Sequence, residues 1–105
     1  MYTPDKWVIV RILGKDPHYR IFGSWYGGFT GSDSWRMNSG VEKVTEDGNH
    51  WVFHGGSGSQ YFCHKEAYGV SSYGWSVLNS YVEKSNGLID VLSEPGDVLN
   101  TEWKL

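Results

Sequence analysis

The chain contains a single cysteine, Cys63, so an internal disulfide is excluded and nothing in the sequence calls for an oxidising compartment. Its 105 residues carry 12 acidic and 9 basic side chains, which gives a formal net charge of −3. Non-specific binding of duplex nucleic acid depends on neutralising phosphates with Lys and Arg, and a net negative chain is poorly suited to it. A disulfide scaffold and a general duplex-binding protein are therefore disfavoured at the outset.

Long apolar runs are also missing from the sequence. No stretch approaches the roughly 20 apolar residues that a helix needs to cross a bilayer. The first ten residues, MYTPDKWVIV, do not show the charged, apolar and small-residue segments of a signal peptide. The length suits one domain with its own core. We therefore expect one soluble, intracellular domain over residues 1–105, with residues 93–105 forming a turn and a tail.

Aromatic residues and glycine are abundant, with 6 Trp, 7 Tyr, 4 Phe and 14 Gly. Both come together in His50–Lys65, HWVFHGGSGSQYFCHK, where two short aromatic runs flank a glycine-rich break. Such a pattern indicates a β-hairpin. A loop at 55–59 predicts five cross-strand pairs, namely His50 with His64, Trp51 with Cys63, Val52 with Phe62, Phe53 with Tyr61, and His54 with Gln60. Because side chains alternate along a strand, one face is then apolar and the other carries three histidines.

The rest of the chain predicts an α+β fold. Apolar or alternating runs predict further strands at Lys6–Leu13, His18–Trp25, Trp35–Asn38, Val41–Glu46 and Leu88–Leu92. The Asp47-Gly48 turn joins two of these runs, so residues 41–65 should form a three-stranded meander. From Ser72 the apolar spacing becomes helical and predicts one C-terminal helix over about 72–85. We expect a mainly antiparallel sheet of five to six strands with this helix packed on it.

Glycine also occurs inside and after the second predicted strand. Gly23, within His18–Trp25, predicts a bulge or a close approach of another backbone segment. The segment that follows mixes aromatic rings with a few polar groups, as ligand pockets do. We interpret it as a candidate binding site formed by Trp25, Tyr26, Phe29, Asp33, Trp35 and Arg36. The competing interpretation, in which these are core rings and ordinary loop glycines, is favoured over the site, because ordinary β proteins need both aromatics and glycines.

A histidine pair is the alternative site. His50 and His64 would lie opposite each other, close enough to share a metal ion. His54 lies about 13 Å from His50 along the strand, and Cys63 faces the other side of the sheet. A catalytic zinc site normally has three protein ligands, so we expect no metal. Neither glycine-rich loop carries a P-loop or dinucleotide-binding fingerprint, so we expect no cofactor. Cys63 and His64 are strand neighbours that point apart, which argues against a nucleophile–base pair.

Three segments carry a resemblance to a known group of proteins. They are His18–Gly40 (HYRIFGSWYGGFTGSDSWRMNSG), the hairpin sequence FHGGSGSQYFCHK and the later SYGWSVL. Over about residues 6–92 the chain resembles small uncharacterised proteins of tailed bacteriophages. The resemblance implies a viral accessory protein made in the cytoplasm of a bacterial host cell. It implies no activity and no functional residue.

We expect a non-catalytic binding protein that engages a host or viral protein through its aromatic- and glycine-rich surface, with no membrane partner. One alternative is a small hydrolase or nuclease that uses His50, His64 and a carboxylate, because histidine exchanges protons near neutral pH. The other is a single-stranded nucleic-acid binder that stacks bases on rings. Nucleic acid is the less favoured partner because acidic side chains outnumber basic ones.

Overall fold

A computed structural model describes residues 1–28 and 31–104 of the chain. Within these two ranges it contains seven strands, one α-helix and one 3-10 helix. The strands are β1 (Lys6–Ile12), β2 (His18–Trp25), β3 (Ser34–Met37), β4 (Val41–Asp47), β5 (His50–Gly55), β6 (Gln60–His64) and β7 (Ile89–Val91). The α-helix, α1, is Ser72–Lys84, and the 3-10 helix covers Val98–Asn100.

The strands form two antiparallel sheets rather than one. The larger sheet has the order β3-β2-β1-β7, and the smaller has the order β4-β5-β6. The α+β class, the antiparallel pairing and the helix are as predicted, whereas the expected sheet of five to six strands is divided into sheets of four and three. The division occurs after β3, where Gly40 adopts φ +144° before β4 begins. The apolar face of the meander then packs onto the larger sheet instead of extending its edge.

Two apolar cores join three layers of structure. The core between the sheets contains Trp7, Ile9, Ile21, Val41, Phe53, Tyr61, Cys63, Val98 and Trp103. The core between the larger sheet and α1 contains Val8, Val10, Phe22 and Leu78. Because side chains alternate along β1, this strand supplies residues to both cores. It is therefore a central strand buried on both faces, as its apolar sequence predicted.

The local predictions for the meander and the helix are confirmed. All five predicted pairs between β5 and β6 occur, from His50 opposite His64 to His54 opposite Gln60. The helix begins after Ser71, whose hydroxyl oxygen accepts a 3.0 Å hydrogen bond from the Gly74 N–H. It ends one residue earlier than predicted, and Gly87 follows in the left-handed region at φ +88°. Both elements depend on short-range periodicity and capping, which the sequence displays directly.

The edge of β2 away from β1 is paired partly with a strand and partly with groups outside any strand. β3 pairs with Phe22–Trp25. Next to it, the buried Asn38 accepts a 2.9 Å hydrogen bond from the Ile21 N–H through its side-chain oxygen and donates its own N–H to the Ile21 carbonyl at 3.1 Å. Further along, the Trp103 carbonyl accepts from the Tyr19 N–H at 3.2 Å. One amide side chain and the C-terminal tail thus take the place of a longer neighbouring strand.

Gly23 marks a close approach rather than a bulge. The pairing of β1 with β2 continues without a shift through Gly23, opposite Trp7. A Cβ at Gly23 would lie 2.9 Å from Cβ of Pro4 and 3.2 Å from its Cγ. The N-terminal segment therefore crosses the sheet against this glycine. Beyond the crossing, the Tyr2 N–H donates to the Gln60 carbonyl at 2.9 Å.

The substitution Gly23→Ala tests this crossing. We expect it to lower the free energy of unfolding by about 1–3 kcal/mol, because the new methyl group overlaps the Pro4 ring. Urea denaturation measures the loss. The control is Gly56→Ala, where a Cβ meets the carboxylate oxygen of Glu42 at 2.9 Å, the end of a side chain that can move away. Equal losses in the two variants would show that contact with Pro4 is not what requires glycine.

Candidate functional site

The two predicted tryptophans lie on opposite faces of the larger sheet. Trp25 pairs with Ser34, and Trp35 pairs with Ser24. Directly paired residues share a face and strand neighbours alternate, so Trp25 and Trp35 point apart. Trp35 stacks on Phe22, with 5.4 Å between ring centroids and 12° between planes, and meets Tyr81 of α1 edge-on at 5.9 Å. Trp35 is therefore mainly a packing residue beneath the helix.

Trp25 and Arg36 lie together on the other face. The Tyr2 ring lies 6.4 Å from that of Trp25 and 5.2 Å from that of Tyr61, measured between centroids. The Cζ atom of Arg36 lies 4.4 Å from the Tyr2 centroid. These side chains border an open depression of about 400 Å³, lined by Tyr2, Trp25, Ser34, Trp35 and Arg36, which we call the Trp25 depression.

Tyr2 is a site residue that sequence reasoning missed. Nothing near it in the chain forms a motif, and its position depends on contacts with residues about sixty places away. Its backbone N–H donates to the Gln60 carbonyl, and its carbonyl accepts from the Phe62 N–H at 2.7 Å. Close by, the Trp25 indole N–H donates to the Thr3 carbonyl at 3.0 Å. The N-terminal segment thus builds one wall of the depression.

The loop after Trp25 is held by two carboxylates. The Tyr26 N–H donates to Asp5 at 2.8 Å, and the Gly27 N–H donates to Asp33 at 2.9 Å. Asp33, which was predicted as a site residue, therefore anchors the loop. Tyr26 is 54 % exposed. The predicted Phe29 lies outside the described residues.

Arg36 carries the charge of the depression. In the described part of the chain, the three ion pairs are Arg11–Asp90, Lys65–Glu46 and Lys104–Glu42. Arg36 is exposed, and no described carboxylate lies within ion-pairing distance of it. The positive charge of Arg36 also affects the pKa of the neighbouring Tyr61. Burial raises the pKa of Tyr61 to about 12, and the charge of Arg36 opposes that rise.

The histidine face has the predicted geometry. The rings of His50 and His64 lie 5.1 Å apart between centroids at an angle of 80°. The Nδ1 atom of His64 accepts a 3.1 Å hydrogen bond from the Glu66 N–H, and His54 bonds to the Thr45 hydroxyl at 3.1 Å. Over residues 1–28 and 31–104, no group of three or more His, Cys, Asp or Glu side chains is placed to hold a metal ion.

Cys63 lies on the opposite face of β6 from these histidines. It is fully buried in the core between the sheets. Burial raises the pKa of its thiol far above the ordinary value, so the thiolate does not form near neutral pH. Its position and its protonation state both exclude the nucleophile–base pair with His64, as the strand geometry predicted.

A second, smaller depression was not predicted. Its volume is about 180 Å³, and it is lined by Asp16, Pro17, His18, Ser39, Gly40, Val41, Glu42 and Lys104. The side chains of His18, Glu42 and Lys104 at its rim are already bonded to other groups. The Arg20 guanidinium donates to Nε2 of His18 at 2.9 Å, which places the imidazole proton on Nδ1, facing the Asp16 carbonyl at 2.7 Å. Glu42 is paired with Lys104 at 3.0 Å.

No signal in the sequence could have identified this second depression. Its lining comes from three separate stretches of chain that meet only in the folded protein. With both nitrogens of His18 engaged and Glu42 neutralised, the pocket holds no evident acid–base pair. The Trp25 depression is therefore the stronger candidate site.

Comparison with known proteins gives no relative for this chain: no family model, no curated protein and no solved structure matches it. Among the described residues, no helix has both the length and the apolar character needed to cross a membrane. The role of the Trp25 depression is accordingly inferred from the side chains that line it.

The phenol of Tyr61 predicts an alkaline loss of stability. An unfolded tyrosine ionises near its ordinary pKa of 10, whereas Tyr61 in the folded protein stays protonated to about 12. The unfolded state therefore loses this proton first, so the contribution of Tyr61 to the free energy of unfolding is constant below pH 10 and falls between pH 10 and 12. Urea denaturation at a series of alkaline pH values measures the slope.

The matched variants separate Tyr61 from the other tyrosines. We expect Tyr61→Phe to show a shallower alkaline slope, whatever its stability at neutral pH. Tyr26→Phe, which changes an exposed phenol, should keep the original slope. An unchanged slope in Tyr61→Phe would contradict the assignment.

Proposed function

We propose that this chain is a non-catalytic binding protein that engages a protein partner through the Trp25 depression and the adjoining loop at Tyr26. The observation that carries the proposal is that Tyr2, Trp25 and Arg36 border one open depression. Tyrosine, tryptophan and arginine are the residue types that dominate binding energy at protein interfaces. Such rings offer apolar area, and the guanidinium offers several hydrogen-bond donors.

The segments that border the depression are ordered by hydrogen bonds within the chain itself, which supports a binding role. The backbone N–H and the carbonyl of Tyr2 are both hydrogen-bonded to β6. The Trp25 indole N–H is bonded to the Thr3 carbonyl, and the Tyr26 N–H is bonded to the Asp5 carboxylate. Binding is weakened by the cost of ordering side chains and loops. A surface that is already ordered avoids much of that cost.

The setting of the proposal comes from the resemblance to bacteriophage proteins. That resemblance supports a viral accessory protein made in the cytoplasm of a bacterial host, where host and viral proteins are the available partners. A protein partner fits an open depression, since a partner's side chain can enter it while the surrounding surface excludes water.

The two alternatives have less support. A histidine hydrolase or nuclease needs a base that a third group orients. In the described ranges, no carboxylate lies within ion-pairing distance of His50 or His64. A single-stranded nucleic-acid binder needs several cations along the path of the phosphates, whereas Arg36 is the one basic residue among the described residues that line the depression.

Affinity capture from a lysate of infected bacteria tests the proposal. We expect the tagged protein to retain a specific partner, and Trp25→Ala or Ser34→Leu to reduce the affinity by about tenfold or more, since central interface side chains contribute at this level. Trp25→Ala removes a wall, and Ser34→Leu fills the depression from an exposed position. Trp35→Ala is unsuitable because Trp35 packs against Phe22 and Tyr81.

The control is Trp75→Ala, which removes a 45 % exposed tryptophan from α1, on the far side of the larger sheet. Urea denaturation of each variant shows that it is folded under the capture conditions. Full retention of the partner by both Trp25→Ala and Ser34→Leu would reject the proposed surface. Recovery of no partner by the unaltered chain would reject the proposed function.

A further inference from the structure

Arg36 is the feature of the Trp25 depression that packing does not explain. Its side chain is exposed, and its Cζ atom lies over the Tyr2 ring. The ion pairs of the described chain are formed by Arg11, Lys65 and Lys104 instead. A guanidinium has five N–H donors and no acceptor. A ligand that satisfies this group must therefore bring acceptor atoms.

The position over Tyr2 prepares Arg36 for one kind of acceptor. The negative face of an aromatic ring attracts the cation and limits where it moves. A guanidinium that is held in place can offer two parallel N–H groups to a planar carboxylate, and this bidentate geometry is stronger and more directional than a single bond. Arg36 is thus better suited to a carboxylate than a mobile lysine would be.

The neighbouring residue adds an apolar requirement. The Trp25 indole N–H is already bonded to the Thr3 carbonyl at 3.0 Å, so Trp25 presents its ring rather than a free donor. The Tyr2 ring lies against it at 6.4 Å. A group that reaches Arg36 therefore passes apolar surface contributed by two rings.

We propose that the Trp25 depression recognises an acidic segment of its protein partner, in which a carboxylate bound by Arg36 lies next to an apolar side chain. This inference rests on the proposed function and specifies the chemistry of the partner. A phosphate chain fits less well, because binding successive phosphates needs several cations. Arg36 is the one basic residue among the described residues that line the depression, which suits a single carboxylate.

Two synthetic peptides test the inference. One alternates glutamate and leucine, the other alternates glutamine and leucine, and both are acetylated and amidated so that their ends carry no charge. Nuclear magnetic resonance follows the side-chain N–H signals of Arg36 and Trp25 during titration. We expect the glutamate peptide to shift both signals and to bind at least tenfold more tightly than the glutamine peptide.

Charge variants identify Arg36 as the receptor. Arg36→Gln should reduce binding of the glutamate peptide to the level of the glutamine peptide, whereas Arg36→Lys, which keeps the charge but loses the paired donors, should give an intermediate affinity. Lys84→Gln, at an exposed position on α1, should leave the affinity unchanged. Equal binding of the two peptides, or no shift of the Arg36 signal with either, would overturn the inference.

The remaining outcomes separate this inference from the proposed function. A single-stranded oligothymidylate that shifts the Arg36 signal at lower concentration than the glutamate peptide would overturn an acidic protein segment in favour of nucleic acid. A captured partner that is lost with Trp25→Ala but kept with Arg36→Gln would overturn the inference and leave the proposed function standing. Capture that neither substitution affects would reject both.

Discussion

The burial of β1 on both faces is the constraint on which the rest of the structure depends. Trp7 and Ile9 face the smaller sheet, while Val8 and Val10 face α1. An open sheet with two apolar faces cannot be stable in water, so both a second sheet and a helix are required to cover it. Trp7 also joins the layers through its indole N–H, which donates to the His64 carbonyl at 2.7 Å.

This three-layer arrangement determines where a binding surface can form. Both faces of the larger sheet are covered over most of their area, so the accessible rings lie at its periphery. The Trp25 depression forms where β2 ends and the N-terminal segment crosses the sheet. Gly23 permits that crossing because it leaves room for Pro4, and the crossing delivers Tyr2 to Trp25 and Arg36. The binding surface therefore depends on Gly23, where a side chain would obstruct the crossing of the N-terminal segment.

The sequence predicts what is local and fails where distant segments meet. The β5–β6 register and α1 follow from alternation, loop composition and capping, all of which are visible within about fifteen residues. The division into two sheets depends on the turn at Gly40 and on which faces pack together, and neither is encoded locally. Trp25 and Trp35 are ten residues apart, and their opposite orientations follow only from the pairing of β2 with β3. Asp33 was predicted as a site residue because the sequence does not show that its carboxylate accepts a hydrogen bond from the Gly27 N–H.

The N-terminal segment has a consequence for self-association. An exposed strand edge offers unpaired backbone groups to other chains and can seed aggregates. Tyr2 occupies such groups on β6 at Gln60 and Phe62, while the opposite edge, β4, bears charges along VEKVTED. The smaller sheet is therefore guarded on one side by its own chain and on the other by charge, so that edge-to-edge polymerisation is disfavoured at both borders.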